Sequence, residues 1–177
     1  MLDTEVYSNT GGQTSKATPR GASAKFNQTG KTTKKKDLAN MMMAYGDVYV
    51  AQVAIGANPD QTIKAFIEAE RYDGPSLIIA YCPCVNHGYD LQYSQTHAFT
   101  SVSSGYNTLF RYNPSLKRPM QIDSIEPFSD YIEYLSSENR YKVLDKVNPI
   151  NKDKLYQQSR QDALNRRKSL ISKNKSK

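Results

Sequence analysis

The sequence contains no tryptophan, only two histidines and two cysteines, and no long apolar run. A membrane-spanning helix needs about 18 or more consecutive apolar residues, so we expect no such helix. Because no basic-then-apolar leader begins the sequence, we expect a cytoplasmic protein. Cys82 and Cys84 are one residue apart, and a disulfide between them would be badly strained. This spacing favours a reduced compartment.

The charge is unevenly distributed along the chain. The net charge is +7, with +5 in residues 1–36, −5 in residues 37–150 and +7 in residues 151–177. Basic segments can bind RNA or acidic lipid, but solvated charge is their commoner explanation. No RNA-binding motif accompanies them, so a nucleic-acid partner is disfavoured.

Apolar runs predict an α/β fold with a mostly parallel sheet. The runs over residues 2–7, 48–55 and 77–81 are typical of strands that are buried on both faces. A further strand is predicted over residues 108–112. The alternation of strand, helix and strand between residues 48 and 81 indicates a βαβ unit.

Capping residues and apolar stripes predict the helices. Asp37 is the expected cap of a helix with a stripe of methionines, ended by Gly46. Asn58 is the expected cap of the next helix, with Gln61 placed to reach back to it. The apolar stripe of that helix is formed by Ile63, Phe66 and Ile67. Later helices are predicted over residues 91–106 and 128–135, and from residue 151 into a fraying KNKSK end.

Residues 14–36 are polar and basic and show no apolar period, so they predict a long loop. A loop of this length inside a domain is usually functional or disordered.

The stretch Leu2–Gln13, LDTEVYSNTGGQ, predicts a strand that ends in a polar loop. Open α/β sheets bind ligands at the carboxyl ends of their strands, and glycines allow close approach of the backbone. Hydroxyl and amide oxygens suit a phosphate group or Mg²⁺, a cation that prefers oxygen ligands. An ordinary exit from strand to loop explains the pattern equally well.

A second candidate site is the segment that holds Cys82, Cys84 and His87. These residue types suggest zinc, but they provide three ligands and the sequence has no second cluster. Two half-buried thiols and a loop histidine are the better explanation from the residues alone.

Five segments, in order and over nearly the whole chain, resemble the last part of pyruvate:ferredoxin (flavodoxin) oxidoreductases. They are DTEVYSNTGGQTSKATPRGASAKF, KKKDLA, YGDVYVAQVAIGAN, GPSLIIAYCPCVNHG and LFRYNP. The resemblance implies the second half of a thiamine-diphosphate-binding fold in residues 1–125. It also implies a C-terminal helical extension with a basic tail in residues 126–177, and a basic loop that helps to cover the cofactor.

The resemblance implies that thiamine diphosphate binds through Mg²⁺. Thr4 and the carbonyl oxygen of Val6 would be the ligands of the cation. Asn9 would be the catalytic residue, facing the thiazolium and the 2-oxoacid and stabilising a developing oxyanion. The implied cofactor-binding residues are Thr4, Val6, Ser8, Asn9, Thr10 and Gly11.

The resemblance also changes the interpretation of the cysteines. Cys84 would provide one thiolate to a 4Fe–4S cluster, and three further ligands would come from upstream sequence. Cys82 would be a bystander, and His87 would form a hydrogen bond near the cluster.

The implied reaction converts pyruvate and coenzyme A to acetyl-CoA and CO₂ and passes electrons to ferredoxin or flavodoxin. The Gly-Asp-Gly half of the thiamine motif and the other cluster cysteines are not in this sequence. We therefore expect a piece of the enzyme that is inactive alone and works with the remainder of the polypeptide in a homodimer. The alternatives are a segment of a pyruvate:NADP oxidoreductase and a non-catalytic remnant of a split or truncated gene.

Overall fold

The sheet of the computed structural model, which describes residues 1–174, is built from the apolar runs that predict strands. Strand β1 (Leu2–Asp3) pairs in parallel with one edge of β3 (Ser76–Tyr81). Strand β2 (Tyr49–Val53) pairs in parallel with the other edge of β3. Helix α2 (Pro59–Arg71) connects β2 to β3. The expected βαβ unit and the α/β fold class are confirmed.

An antiparallel hairpin extends the sheet beyond β2. It consists of β4 (Phe110–Tyr112) and β5 (Met120–Ile122), and the strand order is β1-β3-β2-β4-β5. Only β4 runs against the other strands, so the sheet is mostly parallel. The sequence did not predict β5, because three residues are too few to display a period of two.

Two predicted helix caps are present in the structure. The carboxylate of Asp37 accepts the backbone N–H of Asn40, and the side-chain oxygen of Asn58 accepts that of Gln61, both at 2.9 Å. The side chain of Gln61 does not reach back to the cap; it donates to the carbonyl of Gln52 instead. The remaining helices are α1 (Leu38–Met43), α3 (Ser94–Ser103), α4 (Tyr131–Ser136), α5 (Asn139–Lys142), α6 (Leu144–Val147) and α7 (Pro149–Ser172).

The last helix begins two residues before the predicted position. Of the KNKSK end, which was expected to fray, the last three residues lie outside the described part of the chain. Within residues 1–174, every helix is too short or too polar to cross a membrane.

Helices cover both faces of the sheet. On one face, α2 packs Ala65 against Tyr49, Ala51 and Val53. On the other face, α1 and the end of α7 complete a second core. Its buried side chains are Ala39, Met43, Val48, Val50, Ile79, Phe110, Met120 and Leu170. A third core, among α4 to α7 and the first long loop, buries Tyr106, Tyr131, Tyr134, Tyr141 and Tyr156, together with smaller apolar residues.

The opening strand is shorter than predicted. Backbone pairing ends at Asp3, and Glu5 has a left-handed φ of 62°, which turns the chain out of the sheet. The predicted strand over residues 2–7 was therefore wrong beyond Asp3, because strand conformation cannot pass through a positive φ.

The apolar stripe of α2 faces outward, and that of α1 does so in part. The side chains of Ile63, Phe66 and Ile67 are 58%, 56% and 43% exposed, because α2 turns its small and polar residues to the sheet. Met41 and Tyr45 are also exposed. The interpretation of the methionine stripe as core was correct for part of the stripe only.

Residues 14–36 form the predicted long loop, and a buried lysine organises it. The ammonium group of Lys31 donates to the carbonyl oxygens of Thr18 at 2.6 Å and of Ser15 and Lys16 at 3.2 Å. These bonds gather the backbone of the loop around one charge, so the loop has a defined shape without helices or strands.

Candidate functional site

The carboxyl end of β1 is the first part of the candidate site. The backbone N–H of Cys82 donates to the carbonyl of Asp3 at 3.0 Å, so the chain leaving β1 and the chain leaving β3 begin side by side. The hydroxyl of Thr4 lies 3.0 Å from the carbonyl oxygen of Val6 and 3.4 Å from the hydroxyl of Ser8. Three of the predicted oxygens therefore converge within the first five residues after the strand.

The glycine-bearing loop follows as a short 3-10 turn over Ser8–Thr10. The side chain of Asn9 is exposed at the tip of this turn. The hydroxyl of Thr10 donates to the side chain of Gln13 at 2.6 Å, so it is turned towards the far side of the loop. Gly12 has a φ of 84°, and a Cβ there would collide with the side chain of Asn86. Only glycine fits this position.

The cysteine segment forms a second turn directly beside the first. Cys84 is buried and Cys82 half-buried, and both are free thiols. The turn is a 3-10 helix over Val85–His87. The side-chain amide of Asn86 donates to the sulfur of Cys84 at 3.4 Å, so this buried sulfur has a hydrogen-bond donor beside it.

His87 joins the two turns. Its Nε2 donates to the carbonyl oxygen of Thr4 at 2.9 Å, and the ring is fully buried. Burial, reinforced by the guanidinium of Arg140, lowers the pKa of His87, so the ring is neutral near pH 7. The histidine expected near a cluster therefore reaches the predicted magnesium-binding segment.

Sequence reasoning missed a buried ionic network behind these turns. It comprises Glu5, Glu138 and Arg140, which we call the loop network. The guanidinium of Arg140 donates through Nη2 to Glu5 at 2.8 Å and through Nε to Glu138. Lys35 pairs with the other oxygen of Glu5 at 2.7 Å, and the hydroxyl of Tyr106 donates to Glu5 at 2.7 Å.

The carboxylates of the loop network are ionised despite their burial. Burial alone would raise the pKa of Glu5, but Lys35 and then Arg140 outweigh it and hold the pKa well below its usual range. For Glu138, burial is likewise outweighed, by Arg140 and by the hydrogen bond from His97 at 2.8 Å, so its pKa is lowered. The network is a fully charged cluster inside the protein.

No signal in the sequence marks the loop network. Glu5 lies in the first family segment and in the predicted opening strand, but Arg140 belongs to no motif and is 135 residues away. The acidic Glu5 beside the apolar Val6 was the one available hint.

Two oxygens at the end of β1 are spaced as neighbouring ligands of one Mg²⁺ ion would be. Oxygen ligands of Mg²⁺, each about 2.1 Å from the ion, are about 3 Å from their neighbours. The 3.0 Å between the hydroxyl of Thr4 and the carbonyl oxygen of Val6 matches this spacing. The same two atoms form a hydrogen bond in the structure, which the cation would replace.

The cysteine turn fits a shared metal cluster better than a site of its own. Within residues 1–174, no three or more His, Cys, Asp or Glu side chains are grouped as metal ligands. Cys84 is one buried sulfur with an amide donor, which suits one ligand of a cluster completed by other cysteines.

Two polar turns at the carboxyl ends of neighbouring parallel strands are the arrangement at which open α/β domains bind their ligands. No protein-family model matches the chain. The chain is 53% identical over 167 residues to a pyruvate:ferredoxin oxidoreductase of Moorella thermoacetica. It is 50% identical over 169 residues to a pyruvate-flavodoxin oxidoreductase of Klebsiella pneumoniae. Each alignment covers 92% of this chain and 14% of the relative.

A pyruvate dehydrogenase [NADP(+)] of Cryptosporidium parvum is 47% identical over 173 residues, which are 88% of this chain and 9% of the relative. By sequence, the chain is a homologue of one segment of these pyruvate oxidoreductases, and it spans 14% of the length of the first relatives. The resemblance inferred from the five segments is confirmed.

Proposed function

We propose that this chain forms part of the catalytic centre of an enzyme that decarboxylates pyruvate oxidatively to acetyl-CoA and CO₂. Ferredoxin or flavodoxin would accept the electrons, as the names of the relatives suggest. The observation that carries the proposal is the pair of oxygens at Thr4 and Val6, spaced as Mg²⁺ requires, within a segment homologous to these enzymes.

The end of β1 would hold the cofactor and the substrate. Thr4 and the carbonyl of Val6 would bind the Mg²⁺ that bridges to thiamine diphosphate, with Ser8, Thr10 and Gly11 along the diphosphate. When bound, thiamine diphosphate supplies the nucleophilic carbon and electron sink for loss of CO₂ from a 2-oxoacid. The exposed amide of Asn9 would donate to the carbonyl oxygen of the 2-oxoacid as negative charge develops there.

Cys84 would contribute one thiolate to a 4Fe–4S cluster, with the amide of Asn86 as its hydrogen-bond donor. The other cluster ligands, the coenzyme A site and the second half of the thiamine motif would come from the rest of a larger polypeptide. We propose that this enzyme is a cytoplasmic homodimer.

A second candidate function differs only in the electron acceptor. The similarity to a pyruvate dehydrogenase [NADP(+)] favours an enzyme in which NADP⁺ receives the electrons. The residues proposed to hold Mg²⁺ and the cluster would serve both enzymes equally. Reduction of ferredoxin compared with NADP⁺ by the complete enzyme separates the two.

The test uses a holoenzyme in which this chain replaces the matching segment of the Moorella relative. Thr4→Val removes one oxygen ligand, so we expect weaker binding of thiamine diphosphate and Mg²⁺. Asn9→Ala should leave the cofactor bound and lower kcat by about 10²–10³, the usual cost of a lost oxyanion donor. Cofactor affinity by calorimetry and kcat by acetyl-CoA formation are measured for both variants.

Thr33→Ala, at an exposed position of the long loop outside the predicted ligand set, is the control and should behave as the parent. If Asn9→Ala loses the cofactor while its rate per bound site is unchanged, the assigned roles are wrong. If the parent chimera binds no thiamine diphosphate, the proposed function itself fails.

A further inference from the structure

We propose that Arg140, which lies outside both candidate turns, is a positioning residue that fixes the β1 loop and the cysteine turn relative to one another. The β1 loop is residues 4–13 and the cysteine turn is residues 82–88. The proposal goes beyond the ligand roles given above, and its consequences for cofactors rest on the proposed function. Its consequence for the amide hydrogen exchange of these two segments does not depend on the proposed function.

Three loops converge on the segment around Arg140. The carbonyl of Arg140 accepts the backbone N–H of Ser23, in the long basic loop, at 2.8 Å. The backbone N–H of Asn139 donates to the carbonyl of Gly88, at the end of the cysteine turn, at 3.2 Å. The guanidinium reaches Glu5, in the β1 loop, at 2.8 Å. One short segment therefore holds all three loops.

The fork of the guanidinium is what this position requires. Arg140 uses Nε for Glu138 and Nη2 for Glu5, so it joins two carboxylates that belong to different parts of the chain. All three side chains are 4% exposed or less. A lysine can hold two carboxylates on its one nitrogen, as Lys35 does with Asp3 and Glu5. It lacks the separate Nε and Nη2 donors of the fork, so Arg140→Lys cannot keep the present spacing between Glu5 and Glu138.

The β1 loop and the cysteine turn are also tied directly. The carbonyl of Thr4 is held by His87, and the next side chain, Glu5, is held by Arg140. Asn86 packs against Gly12 at the other end of the β1 loop. A change at Arg140 is therefore transmitted to the oxygens at Thr4 and Val6 and, through Gly88, to the turn that bears Cys84.

The test compares Arg140→Lys with Arg111→Lys in the full 177-residue chain. Arg111 is a matched control, because it is also a buried arginine that binds two carboxylates, Asp123 and Glu68, but contacts neither turn. Amide hydrogen exchange is measured for residues 4–13 and 82–88. We expect both segments to exchange at least about tenfold faster in Arg140→Lys and to be unchanged in Arg111→Lys.

The same two variants are then made in the chimeric holoenzyme. Arg140→Lys should weaken thiamine diphosphate binding by about 10-fold or more, as is typical when the support of a metal ligand is lost. It should also change the line shape of the paramagnetic signal of the reduced cluster while iron content is retained. A purely structural role would lower stability in both variants and leave the spectrum unchanged.

Tyr106→Phe gives an independent variant that leaves no buried charge unpaired. It removes the hydroxyl that donates to Glu5, so both segments should exchange faster, by a smaller factor than in Arg140→Lys. If Arg140→Lys does not fold, the hydrogen exchange of the two segments in Tyr106→Phe decides whether the proposal holds. The proposal is overturned if only one of the two segments responds, or if Arg111→Lys has the same effect as Arg140→Lys. Because hydrogen exchange needs no cofactor, failure here is distinct from failure of the proposed function.

Discussion

Two buried arginines hold two carboxylates each, and they stabilise different kinds of structure. The loop network joins residues that are 135 positions apart and lie on turns and a short helix. The hairpin network, Arg111 with Asp123 and Glu68, joins residues 12 and 43 positions apart on the β4–β5 hairpin and α2. The same chemistry secures a regular sheet edge in one place and irregular loops in the other.

The difference shows how the irregular end of the sheet is kept in shape. The hairpin has a backbone ladder of its own, so Arg111 adds to an arrangement that hydrogen bonds already define. The turns that leave β1 and β3 have few ladder bonds, and their geometry depends on charges supplied by the C-terminal helices. We therefore expect changes at the loop network to alter the site, and changes at the hairpin network to alter stability only.

The largest expected effect tests whether the cysteine turn provides a ligand to the iron–sulfur cluster. In the chimeric holoenzyme, Cys84→Ala should abolish the cluster that this turn serves, because one of its four thiolate ligands is lost. Cys82→Ala is the matched control and should leave the cluster largely intact. The sulfur of Cys82 is half-buried and lies against the carbonyl of Pro83, whereas the sulfur of Cys84 is buried beside the amide of Asn86. Iron content and the paramagnetic signal of the reduced cluster report the result. Equal loss in both variants would remove the assignment of Cys84.

The next effect compares the two networks directly. Arg140→Met leaves Glu5 and Glu138 buried with a partner missing, which should lower the opening free energy of the surrounding amides by about 3–5 kcal/mol. Arg111→Met should cost about 1–3 kcal/mol, because Glu68 keeps access to solvent. Native-state hydrogen exchange on the full chain measures both. Equal losses of opening free energy in the two variants would mean that the β1 loop and the cysteine turn depend on Arg140 no more than the hairpin depends on Arg111.

The smallest expected effect concerns the exposed face of α2, the helix that carries Glu68 of the hairpin network. The exposed stripe Ile63, Phe66 and Ile67 should cause the 177-residue chain to self-associate, because soluble proteins rarely expose contiguous apolar patches. Phe66→Lys should raise the dissociation constant by about tenfold, as expected for loss of one partly buried aromatic contact. Phe128→Lys, an exposed phenylalanine away from α2, is the control. Sedimentation at several concentrations measures the effect, and an unchanged constant would exclude the stripe as the contact.

The parts of the fold that were predictable are those with local signals. The β-branched run of β2 and the caps at Asp37 and Asn58 have their causes within a few residues. The face of α2 that packs on the sheet was not predictable from hydropathy. The sheet contacts the small side chain of Ala65, and the larger apolar side chains of the helix lie on its outer face. The early end of β1 was missed because a left-handed glutamate has no signal in hydropathy.

The candidate site divides in the same way. Thr4, Val6 and Cys84 were recognisable because they belong to contiguous segments with a family likeness. Their ligand roles stay predictions, as does the division of the chain at residue 125. Arg140 was not recognisable, because its function depends on partners far away in sequence, and only three-dimensional proximity reveals the pair with Glu5.

The left-handed backbone at Glu5 has an evolutionary consequence. Glycine is the residue best suited to this conformation, and a non-glycine residue costs about 1–2 kcal/mol there. Glycine would, however, leave Arg140 buried without one of its carboxylates, at a greater cost. The residue best suited to the backbone thus removes a charge that Arg140 needs, and single changes in either direction should be selected against. In divergent relatives, positions 5, 138 and 140 should therefore change together, leaving a record of their contact as covariation.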